Sequence, residues 1–206
     1  MKYSQKVLDH FMKPHNIGTM ESPDVEATEG SPACGDQITI YLKINPETKV
    51  IEDIKFQSYG CASNIATASI ITDLAKGKTI EEAKKINWKQ AADELDGLPP
   101  VKMHCSVLAA DTLHNAIKKY EIEHNMAKAD KFDKKAIVNE LRKVIYPKTG
   151  EDIVTLKMVK YVGFKDGIAI VDVDVPKFDQ YRENLAEEIK EHLEKFDEIK
   201  DIKITM

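Results

Sequence analysis

Three cysteines offer the most direct chemistry in this sequence, and all of them lie in its first half. Cys34 lies between a proline-rich loop and the first predicted strand, followed by Gly35 and Asp36. Cys61 lies where a predicted strand turns into a helix, and Cys105 follows a double proline at the start of another helix. A helix N-terminus favours the thiolate, which is the form of cysteine that binds metal and attacks sulfur.

A structural role in the core is the alternative for these cysteines, since free cysteine is often buried. Their separations of 27 and 44 residues match no compact zinc motif. However, none of them lies in an apolar run, and each adjoins Gly, Ser, His or Asp. This favours a shared site at loop tips, in which three thiolates and one Asp or His bind zinc or an iron–sulfur cluster.

Hydrophobic periodicity predicts the elements that position the cysteines. It predicts a β-hairpin over residues 38–44 and 50–59, and helices over 3–13, 63–76, 79–95 and 106–124. Residues 16–31 show no period and are predicted to form an extended loop. Thr79 and Glu82 have the spacing of a helix capping box.

A second α+β unit is predicted after a small, polar linker at residues 125–131. Its predicted elements are a tight turn at Asp166-Gly167, helices over 132–145 and 178–196, and strands over 153–164, 168–175 and 199–205. The sequence therefore predicts an α+β protein of two small domains, residues 1–126 and 131–206. Each domain is expected to be an antiparallel or mixed sheet packed by helices.

Composition excludes several classes of function. The 206 residues are 42% hydrophobic and 32% charged, which is typical of a soluble globular protein. No apolar run is long enough for a membrane span, and no signal-peptide core follows Met1, so we expect a cytoplasmic protein. The net charge of −5 argues against a nucleic-acid partner. Three cysteines, an odd number, argue against a disulfide framework.

Four stretches of the first domain, taken in order, resemble the IscU/NifU-type iron–sulfur cluster assembly scaffold. They are the opening helix and loop over residues 3–18, Ala33-Cys34-Gly35-Asp36, Tyr59-Gly60-Cys61-Ala62-Ser63, and Leu98-Pro99-Pro100-Val101-Lys102-Met103-His104-Cys105-Ser106. Each stretch alone is a weak signal, but the set covers the whole domain in the order of the family.

The resemblance implies a scaffold rather than an enzyme. Such a scaffold assembles a transient [2Fe-2S] cluster from iron and from sulfur delivered by a cysteine desulfurase, and then transfers the cluster to apo-proteins. The implied cluster ligands are Cys34, Cys61 and Cys105, with Asp36 or His104 as the fourth. Cys105 is also the implied persulfide acceptor. The same residues suit zinc, so zinc in this site is compatible with the resemblance.

The resemblance also implies partners and an effect of charge. Leu98–Lys102 matches the segment that an Hsp70-type chaperone recognises in bacterial members, and Tyr3 matches a tyrosine implicated in self-association, which implies a homodimer. Lys102 is expected to stabilise negative charge during sulfur chemistry. A carboxylate such as Asp36 is a harder and weaker donor than a thiolate, so it should leave the cluster labile, as a scaffold requires.

Two alternatives remain open at this point. One is a zinc-bound, SufU-like relay protein that accepts persulfide from a cysteine desulfurase, and the other is a zinc-stabilised interaction module without sulfur chemistry. SufU-type relatives usually carry an insertion between the second and third cysteines. Here only 43 residues separate Cys61 from Cys105, and His104 precedes the latter, which favours the scaffold.

Residues 132–206 resemble the SufT/PaaD-like iron–sulfur maturation domain, mainly through the stretch from Leu141 to Leu156. Two departures matter. Tyr146 stands where that family has an acidic residue before its proline, and no cysteine follows Cys105. The second domain, which lacks the cysteine of its family, is therefore expected to dock partners, to dimerise or to position client proteins.

Overall fold

The computed structural model describes residues 2–31, 35–124, 126 and 132–206. The chain divides into two compact units, Met1–Lys128 and Ala129–Met206. Apart from Met126, the predicted linker at residues 125–131 lies outside the described residues. No helix among the described residues is both long enough and apolar enough to cross a membrane.

An antiparallel sheet of three strands forms one layer of the first unit, in the order β1 (Val25–Ser31), β2 (Asp36–Ile44), β3 (Ile51–Tyr59). The hairpin formed by β2 and β3 confirms the prediction. Its turn is held by Asn45, whose Oδ1 accepts backbone hydrogen bonds from Glu47 at 3.0 Å and Thr48 at 2.9 Å.

The prediction of a loop over residues 16–31 was wrong for its second half, which forms β1. The sequence of β1, VEATEGS, contains only two apolar residues and a glycine, so its own pattern is weak. Pairing with β2 determines its conformation: Val25 lies opposite Leu42, and Ala27 lies opposite Ile40. A strand specified by such long-range pairing leaves little signal in its local sequence.

Helices form the other layer of the first unit. They are α1 (Gln5–Met12), α2 (Ala62–Ala75), α3 (Ile80–Ala83), α4 (Trp88–Glu94) and α5 (Met103–Glu123). Both α2 and α5 pack on the sheet, and α1 packs on α2. The predicted capping box is present, with Thr79 and Glu82 bonding to each other's backbone N–H.

A single helix over residues 79–95 was a wrong prediction, because the chain forms two short helices there. The side chain of Asn87 accepts a hydrogen bond from Gln90 N–H and starts α4 as its N-cap. A side chain that bonds the backbone ahead of it competes with continuation of the preceding helix. A polar residue between two apolar turns therefore divides the segment.

Alternation along β2 determines which of its side chains face the helices. Ile38, Ile40 and Leu42 are fully buried on that face, whereas Gln37 is exposed on the other. Asp36 is in phase with the buried isoleucines and is itself only 6% exposed. The first side chain of β2 therefore points toward the starts of α2 and α5.

The second unit is also α+β, as predicted, with a mixed sheet of three strands. Strand β7 (Ile168–Val173) pairs antiparallel with β6 (Val159–Lys165) and parallel with β8 (Asp201–Thr205). The remaining elements are α6 (Lys134–Leu141), β4 (Ile145–Tyr146), β5 (Glu151–Asp152) and α7 (Arg182–Leu193). The tight turn at Asp166-Gly167 is confirmed by positive φ angles at both residues, 52° and 81°.

The strand predicted over residues 153–164 begins only at Val159. Before it, Asp152 and Ile153 accept backbone hydrogen bonds from Leu156 and Met158, both at 3.0 Å, and these bonds wind the segment into turns. The predicted helices over 132–145 and 178–196 are each shorter at both ends than expected.

Tyr146 stands where the related family has an acidic residue, and it forms a hydrogen bond to a buried carboxylate. Its hydroxyl donates to Asp179, which also accepts from Lys148 Nζ at 2.6 Å and from Tyr181 N–H at 2.9 Å. These three donors lower the pKa of Asp179 to about 2, with the Lys148 hydrogen bond as the largest cause. The tyrosine thus belongs to a satisfied polar network inside the second unit.

Candidate metal centre

The described members of the predicted site meet at one end of the sheet in the first unit. Asp36 begins β2, Cys61 directly precedes α2, and His104 and Cys105 lie in the first turn of α5. Cys34, the remaining predicted ligand, lies outside the described residues. The sequence placed α5 from about residue 106, and its earlier start at Met103 brings Cys105 into the helix.

Four donor atoms lie within a few ångströms of one another. The Sγ atoms of Cys61 and Cys105 are 3.7 Å apart. Asp36 Oδ2 is 3.6 Å from the Sγ of Cys105 and 3.9 Å from that of Cys61. The Nε2 of His104 is 3.6 Å from the Sγ of Cys105.

The separations among Asp36, Cys61 and Cys105, and the one between His104 and Cys105, are close to the donor spacing around a tetrahedral metal ion. Zinc bonds of about 2.3 Å to sulfur and about 2.0–2.2 Å to nitrogen or oxygen place tetrahedral donors about 3.4–3.8 Å apart. The sequence left Asp36 and His104 as alternatives for the fourth ligand. In the structure both groups approach Cys105, and all three offer ligand atoms within 4.8 Å of one another.

The carboxylate of Asp36 is held in place by the start of α2. Its Oδ1 accepts the backbone N–H of Cys61 at 3.2 Å, which leaves Oδ2 directed at the two thiols. Because this N–H is among the first of α2, it has no partner within the helix and is free to bind an anion.

Gly60 and Asn64 complete this arrangement, and the sequence pattern alone predicted a role for neither. Gly60 has a φ of 156°, and a Cβ on it would lie 2.4 Å from Asp36 Oδ1 and 2.8 Å from Asn64 Nδ2. Asn64 Nδ2 donates to Ser58 Oγ at 3.0 Å and to Tyr59 O at 3.3 Å, which ties the end of β3 to α2. The signal in the sequence was a glycine directly before a cysteine at a strand–helix junction.

The two described thiols differ strongly in acidity. Donation by the Cys105 thiol lowers the pKa of Cys61 to about 5 against its partial burial, with further help from Asn64 N–H and the Lys102 charge. The pKa of Cys105 is raised, because its proton is held by Cys61 and because it is buried. Cys61 is therefore the thiolate of the pair, and Cys105 is the thiol that donates to it.

The same two thiols also differ in their exposure to solvent. Cys105 is fully buried, whereas Cys61 is only partly buried. The hydroxyl of Thr67 also donates to the carbonyl oxygen of Cys105 at 3.1 Å and links α2 to the start of α5. Persulfide acceptance by Cys105 stays a prediction, since Cys61 is the more acidic and more accessible thiol in this arrangement.

Lys102 and His104 set the charge of the site. Burial lowers the pKa of Lys102, but the neighbouring cysteines, Cys61 first among them, outweigh this effect and raise it, so the ammonium stays protonated. Burial and the Lys102 charge lower the pKa of His104. A neutral imidazole is the form of histidine that binds metal.

Two family models match the chain. A model described as the NifU-like N terminal domain matches residues 2–127. A model described as an iron–sulfur cluster assembly protein matches residues 134–206. Together the two matches cover almost all of the chain and meet near the boundary of its two compact units.

Several curated proteins are similar to more than half of this chain. The iron–sulfur cluster assembly scaffold protein IscU 1 of Archaeoglobus fulgidus is 51% identical over 142 residues, which cover 69% of this chain and 90% of that protein. The IscU scaffold protein of Azotobacter vinelandii is 47% identical over 124 residues, which cover 59% of this chain and 95% of that protein. Among solved structures, the N-terminal part of a NifU-like protein from Brucella abortus is 22% identical with a TM-score of 0.48. The match covers 58% of this chain and 94% of that structure.

Proposed function

Because the chain belongs to the family of the NifU-like N terminal domain, we propose that it assembles a transient [2Fe-2S] cluster and transfers it to apo-proteins. Its role is that of a scaffold and carrier rather than an enzyme. The observation that carries the proposal is the convergence of two thiols, a carboxylate and an imidazole at the starts of β2, α2 and α5.

The proposed cluster ligands are the thiolates of Cys34, Cys61 and Cys105, with Asp36 or His104 in the fourth position. Thiolates are soft donors and suit iron–sulfur units. Asp36 supplies a harder oxygen donor, and the hydrogen bond from Cys61 N–H to its Oδ1 orients the carboxylate. A cluster held by three strong donors and one weak donor is stable enough to assemble and labile enough to leave.

Sulfur arrives as the terminal sulfur of a persulfide on a cysteine desulfurase. A thiolate of this chain attacks that sulfur, a new S–S bond forms as the S–S bond of the desulfurase breaks, and the desulfurase cysteine leaves as a thiolate. The exchange has no net oxidation or reduction. We assign Cys105 as the acceptor: its proton passes to the Cys61 thiolate, whose Sγ is 3.7 Å away, and this generates the attacking Cys105 thiolate. Lys102 is the cation that stabilises the negative charge. Because Cys105 is buried, Cys61 or Asp36 must move aside for the attack.

The test of the scaffold proposal is the Asp36→Ala variant, with the cluster assembled from iron, cysteine and a desulfurase. We expect the variant to assemble a cluster and to transfer it to an apo-ferredoxin more slowly than the native chain does. Asp93→Ala, a change of an exposed aspartate in α4, is the matched control. Transfer at the native rate by Asp36→Ala would remove the proposed role of this carboxylate.

A zinc-bound sulfur relay is the second candidate, and the spacing of the donors favours it. Asp36, His104 and Cys105 offer ligand atoms within 4.8 Å of one another, and Cys61 Sγ lies 3.7 Å from Cys105 Sγ, so a zinc ion could be held without any contribution from Cys34. In a relay, purified protein would hold one zinc and accept persulfide, but it would form no cluster when iron is supplied. The ratio of iron to zinc after assembly separates the two candidates.

The proposed partners are a cysteine desulfurase that supplies sulfur and the apo-proteins that receive the cluster. We further propose that an Hsp70-type chaperone binds Leu98–Lys102, of which Pro100 is exposed and Pro100–Lys102 form a short 3-10 turn. Tyr3, partly buried against the core, is proposed to contribute to a homodimer.

The proposed domains are residues 1–126, which carry the cluster, and residues 131–206, which position client proteins. Fusion of the two raises the effective concentration of each for the other, which suits coupled assembly and delivery.

A further inference from the structure

A second cluster of metal-binding side chains lies far along α2 from the cysteines. It consists of His10 in the last turn of α1, His15 in the following loop, and Asp73 in the last turn of α2. Each of the three offers a ligand atom, and these atoms lie within 4.8 Å of one another. Asp73 lies twelve positions after Cys61 along α2, about 18 Å at the helical rise, so the two sites are distinct.

Neighbouring polar groups hold each member of the cluster. His15 Nδ1 is 2.6 Å from Asp73 Oδ2, and the other carboxylate oxygen accepts from Asn16 Nδ2 at 3.0 Å. Ser69 Oγ accepts the backbone N–H of His15 at 2.9 Å and lies 2.8 Å from His10 Nδ1. The bond to Ser69 Oγ orients the ring of His10 and leaves its Nε2 for a metal. At His15, a bound ion would take the place of the proton shared by Nδ1 and Asp73 Oδ2.

An ordinary surface ion pair accounts for only part of this cluster. It explains the contact between His15 and Asp73, which is exposed and contributes little to stability. It does not explain the second imidazole, whose ring centroid lies 4.8 Å from that of His15. Two imidazoles this close repel each other when both are protonated, and they are complementary to a shared cation when both are neutral.

The surroundings leave room for an exchangeable ion. His10 and His15 line a surface groove of about 490 Å³ together with Asp9 and the thioether of Met12. Lys6 and Lys13 also line the groove. Their charges weaken cation binding, although the ammonium of Lys6 is paired with Asp96 at 3.0 Å. Space for water ligands and a nearby positive charge suit reversible rather than permanent binding.

We propose that His10, His15 and Asp73 form a second, exchangeable site for a divalent first-row transition metal. Two imidazoles and one carboxylate with open positions form the donor set that accepts Fe²⁺, Co²⁺ or Zn²⁺. The site is independent of the cluster function, because none of its donors belongs to the cysteine site.

The test uses the full chain, with zinc first bound at the thiolates and Co²⁺ then added as the probe without oxygen. We expect the native chain to take up one further equivalent, giving d–d absorption but no thiolate-to-cobalt charge-transfer band. His15→Ala and Asp73→Asn should weaken this uptake at least tenfold and retain the first zinc. His124→Ala, at a histidine outside both sites, is the matched control.

Two results would overturn the proposal: no second equivalent in the native chain, or a second equivalent that survives both His15→Ala and Asp73→Asn. Proton NMR provides an independent readout that does not depend on a variant folding. Paramagnetic Co²⁺ should shift and broaden the ring signals of His10 and His15 in the native chain and leave those of His114 sharp. Broadening of all histidine signals alike would indicate non-specific binding.

Discussion

Gly60 offers the sharpest test of how the carboxylate of the cluster site is positioned. Replacement by alanine places a Cβ 2.4 Å from Asp36 Oδ1, well below the 3.0 Å that real Cβ atoms respect. The carboxylate oxygen must retreat by about 1 Å to reach an ordinary contact of 3.4 Å. Metal–oxygen bonds are held to within about 0.2 Å, so Asp36 can no longer bind in its present place.

The size of the effect follows from the contacts that are lost. A hydrogen bond to a charged group contributes about 1.5–3 kcal/mol, and the retreat of Oδ1 breaks the one from Cys61 N–H. This corresponds to a change of roughly ten- to a hundredfold in the rate of cluster release. Alanine at a φ of 156° also costs about 1–3 kcal/mol of folding stability through backbone strain.

The assay measures transfer of a preassembled cluster to an apo-ferredoxin by visible spectroscopy. Gly60→Ala should slow transfer to the same extent as Asp36→Ala, and the double variant should be no slower than either, because both changes remove one interaction. Gly77→Ala is the matched control, since Gly77 also has a positive φ, 78°, but has no atom within 4 Å of an added Cβ. This control carries the backbone strain without the collision.

Transfer by Gly60→Ala at the rate of Gly77→Ala would contradict this prediction. It would show that packing of the carboxylate over Gly60 does not position Asp36. Additive effects in the double variant would likewise show that Gly60 acts through some other group.

Two further predictions follow from the pKa shifts. In metal-free protein, the alkylation rate of Cys61 should rise with pH with a midpoint near pH 5, whereas Cys105 should be alkylated only after unfolding. Peptide mass spectrometry measures both rates. Faster labelling of Cys105 than of Cys61 would contradict the assignment of the thiolate. In the second unit, the pKa of Asp179 is about 2 in the folded protein, against about 3.9 for an aspartate in the unfolded chain. The ionised carboxylate therefore stabilises the fold above about pH 4, and this contribution is lost as the pH falls toward 2. Asp179→Asn should lower the melting temperature at pH 7 and abolish this acid dependence, whereas Asp174→Asn, at an exposed ion pair, should leave both unchanged.

Local sequence was sufficient to predict much of the site. Cys61 and Cys105 were each predicted at a helix start, and both lie there in the structure. Asp36 was chosen for its proximity to a cysteine, and its phase with Ile38 and Ile40 accounts for its direction toward the helices. The capping box could also be predicted from local sequence, because Thr79 and Glu82 lie three residues apart.

Features that depend on distant partners could not be predicted in this way. Strand β1 has a weak pattern of its own and is specified by its pairing with β2. The role of Gly60 depends on the carboxylate of Asp36, which is more than twenty residues away in the chain. The order of acidity of the two thiols depends on the 3.7 Å contact between Cys61 and Cys105, which no local pattern contains.

The central claim is that the three-cysteine site assembles an iron–sulfur cluster. The most direct measurement is the iron, zinc and acid-labile sulfide content, with the visible spectrum, of oxygen-free native protein and Cys61→Ala after incubation with iron, cysteine and a desulfurase. We expect equal amounts of iron and sulfide with visible charge-transfer bands in the native chain, and loss of both in Cys61→Ala. Zinc alone in the native chain, with no cluster under these conditions, would contradict the claim.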